Sequence, residues 1–426
     1  MKINATILAA AIGMASVSLA NAYNYIYITG STAARGAVYN SLAAGVGQDA
    51  APTAIISVGS SSTAANNNYM EFVTSVGLAP TIIKCSWSGS EAGIADISNG
   101  NNEFFLLDPG NGSIPALPET SNPYVVSTVT TAPTTAAPES SYFGSPNPVN
   151  IALADNNVRY SQNPNSTATF SSTPICVVPF VFVKNQGSQL NTTALGNESD
   201  YSAFNNITDE YFKVLAQGGD YLGLFTGNPN DQSTWVYLAG RDANSGTRVN
   251  TFAETGYGIK TSCSQIILSS TGAQEPPLTD GGQSSGGSLA KSLVDTTVLP
   301  QPDTIGGNSG FTVVAYLGLA DAGTAEGAPY NAIQLQYNGQ AFSIPAVEDG
   351  TYALWGYEYI GYAPSSSSAV TGLWSALGNL TTGLGGHVST STLTIAGVPT
   401  VVQNEIPMGS MVVGRTSYSP LNPPQE

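Results

Sequence analysis

The chain of 426 residues sets 11 lysines and arginines against 28 acids, a net charge of −17, and only 9% of its residues are charged. That balance argues against a nucleic-acid partner, because neutralising a phosphate backbone needs clustered Lys and Arg. The length supports one large or two medium α/β lobes. Polarity rests on Ser, Thr, Asn and Gln beside 46 glycines and 26 prolines, a composition suited to an exported protein.

In chain order, "MKINATILAAAIGMASVSLANA" joins one lysine, an apolar stretch and Ala20-Asn21-Ala22. This is the pattern of a signal peptide over 1–22, cleaved near Ala22, which places the mature chain in the periplasm or outside the cell. A retained anchor is the alternative. No later stretch reaches the roughly 18 consecutive apolar residues of a membrane span.

"YNYIYITG" reads as a strand, and "STAARGAVYNSL" spaces Ala34, Val38 and Leu42 as a helix does. "TAIISVG" and "TIIKCSW" are strands, and "SGSEAGIADI" is a polar turn opening a helix. From 99 to 148 the chain turns to Pro, Thr, Ser and Asn, which predicts a surface insertion. Regular signals resume with the strand "VNIALADN", ending at Asp155, and the apolar strand "PICVVPFVFVKN". A helix near "ITDEYFKVLAQGG", the strand "STWVYLAG", a helix in "GGQSSGGSLAKSLVDT" and the strand "GFTVVAYLGLA" follow. "YNAIQLQYNGQAFSIP" predicts a hairpin around Asn338-Gly339, and "GTYALWGYEYIGY" another strand. Helices and strands alternate, which argues for open α/β sheets.

The three cysteines, Cys85, Cys176 and Cys263, leave at least one thiol unpaired, and no pairing is singled out. Cys85 and Cys176 lie in strand-like runs and read as small buried hydrophobes. Without a Cys-x-x-Cys, and with His387 of "GLGGHVST" the sole histidine, neither a metal centre nor a serine hydrolase is indicated.

Three strand-to-helix turns share one design: Gly30-Ser31-Thr32, Ser88-Gly89-Ser90 and Asn244-Ser245-Gly246-Thr247. A helix N-terminus offers free N–H groups and a positive dipole end, and hydroxyls add donors, so such turns suit an oxyanion. The same residues are also ordinary N-caps. The third turn differs because Arg241 stands three residues ahead of it, able to make a two-pronged anion contact. An ion pair with an acid such as Asp155 is the alternative use of Arg241. Arg248, just inside the helix, is expected to face solvent.

"GRDANSGTRVNTF" resembles the Arg-x-Asp-Gly-Ser-Gly-Thr signature of the periplasmic phosphate-binding proteins of ABC transporters, the PstS type. "YITGSTAARGAVYNSL", "WSGSEAGI", "VNIALADN", "PICVVPFVFVKN" and "GNSGFTVVAYLGLADA" resemble further segments of that family in the same order, across most of residues 23 to 365. Two departures stand out: the acid is Asp242, with Ala243 at the family's aspartate position, and Ala33 replaces an aromatic residue.

The resemblance implies a two-lobed α/β periplasmic-binding fold (type 2) with a hinge. Residues 23–170 would form the first part of lobe I, 171–314 lobe II, and 315–426 the return to lobe I and the tail. It implies a phosphate or oxyanion shell of Thr32, Ala33, Ser90, Asp155, Arg241, Ser245, Gly246 and Thr247, with neither cofactor nor metal. A carboxylate accepts but does not donate, so Asp155 would favour hydrogen phosphate over sulfate. The implied partner is a membrane ABC transporter permease, served by a monomeric binding protein that is not an enzyme. The composition also admits a cell-surface structural or adhesive protein on the same fold.

Overall fold

The computed structural model describes residues 23–59, 64–108, 127–128, 143–163, 169–171, 173–186, 199–229, 231–232, 234–269, 272–273, 278–293 and 310–415. The leader expected over 1–22 and most of the expected insertion lie outside them.

The first part of the chain forms β1 (Asn24–Gly30), α1 (Arg35–Ala43), β2 (Ala54–Gly59), β3 (Tyr69–Val76), β4 (Ala79–Ser86), α2 (Ser90–Asn99) and β5 (Ile151–Ala154). The middle forms β6 (Cys176–Lys184), α3 (Asp209–Ala216), β7 (Thr234–Leu238), α4 (Gly246–Glu254), α5 (Gly286–Ser292), β8 (Gly310–Gly318) and α6 (Leu319–Glu326). The last part forms β9 (Trp355–Tyr362), α7 (Ser368–Leu377) and a hairpin of β10 (Thr390–Ile395) with β11 (Val398–Gln403). Val38 and Leu42, the apolar stripe of α1, are buried in one core with Ile26 and Ile28 of β1.

These strands make a large mixed sheet in the order β7-β8-β6-β9-β5-β1-β4-β3-β2. β1 runs parallel to β4 and β5, and β7 parallel to β8. Two strands join the halves. The first four residues of β6, Cys176 to Pro179, pair with Trp355 to Glu358 of β9, and β6 then continues against β8 through Phe180 to Lys184. β9 continues the opposite way, pairing Tyr359 to Tyr362 with β5. The fold is therefore two-lobed α/β, with β6 and β9 as the strands of the hinge. β8, which contains the expected boundary at 314–315, pairs with β6 and β7.

Two local expectations change, and one strand, β3, was not expected. Asn338 and Gly339 take positive φ of 50° and 79°, and Tyr337 and Gln340 close the turn across them, but the flanking segments pair elsewhere. Ile333–Gln334 joins β6 and Gln336–Tyr337 joins Asn206–Ile207, so the turn exists without a hairpin. The described ends of the expected insertion are anchored, with Phe105, Leu106 and Phe143 buried against strands of the first lobe. β3 escapes the sequence pattern because it carries Glu71 at a fully buried position, matched across the pair by Lys84. All three cysteines are buried and free. No described helix is long and apolar enough to cross a membrane.

Candidate functional site

The turns after β1 and β4 and the end of β5 lie at one side of the sheet, and the Arg241 loop with α4 follows β7 on the other side of β6 and β9. They meet. Asp155, the residue after β5, is 1% exposed. Its carboxylate accepts from Ser90 Oγ at 2.6 Å and from Thr247 Oγ1 at 3.4 Å, and its backbone N–H donates to Ser90 Oγ at 3.1 Å. Asn250 Nδ2, one turn along α4, donates to the Asp155 carbonyl at 2.7 Å. Burial pushes the Asp155 carboxyl up to about 6, against the lowering effects of the Ser90 bond, the Arg241 charge and the Thr247 bond.

Glycine is required where the lobes touch. A Cβ on Gly246 would stand 1.6 Å from Asp155 Oδ1, 2.6 Å from Ser90 Oγ and 2.7 Å from Asn156 Oδ1. Gly89 has φ 106°, and a Cβ there would stand 2.5 Å from the Asn244 carbonyl oxygen. That carbonyl accepts from the Glu91 N–H at 2.9 Å, so the first turn of α2 is fastened to the loop that opens α4. Ser245 caps α4 by accepting from the Arg248 N–H at 3.2 Å.

Arg241 is 2% exposed. Its Nε and Nη2 each donate at 3.0 Å to backbone carbonyls, those of Gln283 and Ser284, and Nη1 lies 3.5 Å from Thr32 Oγ1 on the opposite lobe. No carboxylate among the described residues forms an ion pair with it. Asp242 does not pair with it either, since Asp242 Oδ1 accepts from the Asn244 N–H at 3.0 Å within the turn. Two carbonyls thus fix the plane of the guanidinium without neutralising it.

Of the expected shell, Thr32, Ser90, Asp155, Arg241, Gly246 and Thr247 stand together through these contacts. Ala33 is buried in the turn before α1, and the Ser245 hydroxyl is directed to its own helix. Arg248 departs from expectation: it is buried, pairs with Asp280, donates to the Arg241 carbonyl at 3.2 Å and lies over the Phe252 ring. Asp280 arrives 32 residues later in the chain, so the helix pattern alone carries no sign of this partner.

No family model matches the chain, and no curated protein matches it. Solved structures do. The chain is similar to a putative phosphate ABC transporter substrate-binding protein with bound phosphate from Clostridium perfringens, at 11% identity, covering 83% of this chain and 93% of that one, with TM-score 0.42. It is also similar to an ABC-type phosphate transport receptor from Vibrio cholerae, at 14% identity, 81% and 90% coverage and TM-score 0.36. PstS from Borrelia burgdorferi gives 12% identity, 83% and 92% coverage and TM-score 0.33.

Further residues of the site left no sequence signal. Glu91 is buried and accepts from Asn156 Nδ2 at 2.6 Å, Ser161 Oγ at 2.7 Å and the Gln162 N–H at 2.7 Å. It holds Asn156 so that Oδ1, which has no hydrogen-bond partner among the described residues, lies beside Gly246. Tyr316 of β8 accepts the Arg241 N–H at 3.1 Å, joining the arginine loop to the sheet. Arg35 of α1 pairs with Asp321 of α6 at 2.5 Å, both buried, a second link between segments far apart in the chain.

Proposed function

We propose that the protein is an exported solute-binding protein that captures phosphate or a related oxyanion between its lobes and delivers it to a membrane ABC transporter. The observation that carries this is Arg241: a buried guanidinium held in orientation by two backbone carbonyls, without a paired carboxylate, facing a threonine of the other lobe. An uncompensated buried charge is costly, and a bound anion is what makes such an arrangement favourable. The first turns of α1, α2 and α4 add N–H donors and positive dipole ends, and Thr32, Ala33, Ser90, Ser245, Gly246 and Thr247 complete the shell.

Asp155 gives the selectivity. An ionised carboxylate in the shell accepts the proton of hydrogen phosphate, whereas sulfate brings no proton and meets repulsion. Lobe I on this proposal comprises the chain up to β6 and again from β9, lobe II the part between, and capture is closure about those two strands. Action is as a monomer in the periplasm, without catalysis.

Calorimetry and thermal melts of the purified protein test the proposal. Phosphate at about a hundredfold over Kd should add about 2.7 kcal/mol of stability, and sulfate far less. Arg241→Ala should abolish the phosphate-induced shift. An unchanged shift in that variant removes Arg241 from the site, and a wild-type protein indifferent to oxyanions favours a structural or adhesive role.

A further inference from the structure

A second buried carboxyl lies beside Asp155. β5 and β9 are antiparallel with Tyr359 opposite Ala154, which makes Glu358 the next position in register, opposite Asp155. Glu358 is 0% exposed. Its Oε2 accepts from Ser31 Oγ at 3.0 Å, and among the described residues Oε1 has no hydrogen-bond partner and no Lys or Arg pairs with the carboxyl. The titratable groups around it are Asp155 at the end of β5, Glu405 in the segment after β11, and Cys176 opposite it on β6. Burial pushes the Glu358 carboxyl well above the carboxylate range, Asp155 and Glu405 push the same way, and Ser31 opposes them.

The two carboxyls are unequally supported. Asp155 has two hydroxyl donors, its own backbone N–H and the Arg241 charge, while Glu358 has one hydroxyl. Buried carboxyls at facing positions resist ionising together, and the negative charge settles on the better supported one. We propose that Glu358 is a positioning residue of the oxyanion site: as the proton-bearing partner of Asp155 it keeps Asp155 the single anionic acceptor there and spares the bound anion a second negative neighbour. Glu358 also holds the hydroxyl of Ser31, one residue before the Thr32 that faces Arg241. This role rests on the oxyanion function proposed above.

The consequence is a pH-dependent cost. Once Glu358 ionises, it repels both the ligand and the Asp155 carboxylate. Phosphate affinity is measured by calorimetry from about pH 5 to about pH 9 for wild-type protein and Glu358→Gln. Ionisation of phosphate is common to both proteins, so the ratio of their Kd values isolates what Glu358 does, directly and through its coupling to Asp155. That ratio, wild type over variant, is expected to rise by about tenfold towards the alkaline end. A ratio flat across the range overturns the role, and so does one already fully risen on the acid side of neutrality, which would make Glu358 an anion there. Ser31→Ala strips the carboxyl of its donor and should move the alkaline loss of affinity to higher pH; a shift to lower pH overturns the role independently. Wild-type protein that binds no phosphate at any pH overturns the oxyanion function and the Glu358 role together, whereas binding with a flat ratio removes Glu358 alone.

Discussion

Replacing Gly246 by Ala tests whether contact between the lobes is the binding event. The added carbon would sit 1.6 Å from Asp155 Oδ1, where real contacts stay beyond 3.0 Å, so α4 and β5 must separate by more than an ångström. On the proposed lobe division, with Asp155 in lobe I and Gly246 in lobe II, the clash exists when the lobes close and is relieved when they open. Overpacking of this kind costs about 1–3 kcal/mol, and here it falls on closure. A cost of about 2 kcal/mol raises the Kd for phosphate about thirtyfold. In a melting assay at about a hundredfold over the wild-type Kd, ligand stabilisation then drops from about 2.7 to about 0.9 kcal/mol, while the ligand-free melting temperature changes little. Binding within twofold of wild type would refute closure over Asp155. So would a ligand-free melting temperature that falls as far as the affinity does, since the contact would then belong to the resting fold.

Asp155 also predicts a pH dependence. Its folded-state value lies above the ordinary one, so the native state holds the extra proton and the wild type loses stability as pH rises from about 4 to about 6. Asp155→Asn removes that loss, and its stability relative to wild type, measured by urea denaturation, should rise through the same window; a falling difference contradicts the burial. In the wild type, affinity for hydrogen phosphate should fall as pH drops through about 6, because a protonated Asp155 no longer offers the carboxylate acceptor. The buried Arg35–Asp321 pair predicts that Arg35→Met or Asp321→Leu alone costs about 3–5 kcal/mol while the double variant costs clearly less, as read in a double-mutant cycle. Additive costs would show that the pair is not coupled.

What was legible in the sequence was whatever depends on neighbours in the chain. The stripe of Ala34, Val38 and Leu42, the strand that stops at Asp155 and the Ser245 cap are local patterns, and they predict α1, β5 and α4. What was hidden depends on partners far along the chain. Arg241 and Arg248 flank one turn and look alike in sequence. One is held by the carbonyls of Gln283 and Ser284, which carry no side-chain signature, and the other by Asp280. β3 was hidden by Glu71, whose burial makes sense only with Lys84 across the strand pair. The turn at Asn338-Gly339 was visible, but its strand partners, Asn206–Ile207 and the end of β6, come from more than a hundred residues earlier.

The acid displaced to Asp242 then acquires a physical meaning. An arginine paired with a neighbouring carboxylate brings almost no net charge to a ligand; one oriented by carbonyls brings its full unit. Asp155 supplies one negative charge, and a neutral Glu358 adds none. The positive ends of α1 and α4, each about half a charge, carry no acid in their first turns, whereas the buried Glu91 in the first turn of α2 opposes the third. On the proposed function, the buried guanidinium and these dipole ends favour an anion in a protein whose total charge is −17, because charges and dipoles at the site act at short range while the scattered surface acids are screened. Restoring an acid at Ala243 probes this balance. Ala243→Asp should weaken phosphate binding if the new carboxylate reaches Arg241, and the loss should shrink at high salt only if it stays in solvent. Tighter binding by that variant would mean that orientation of the arginine, and not its free charge, limits capture.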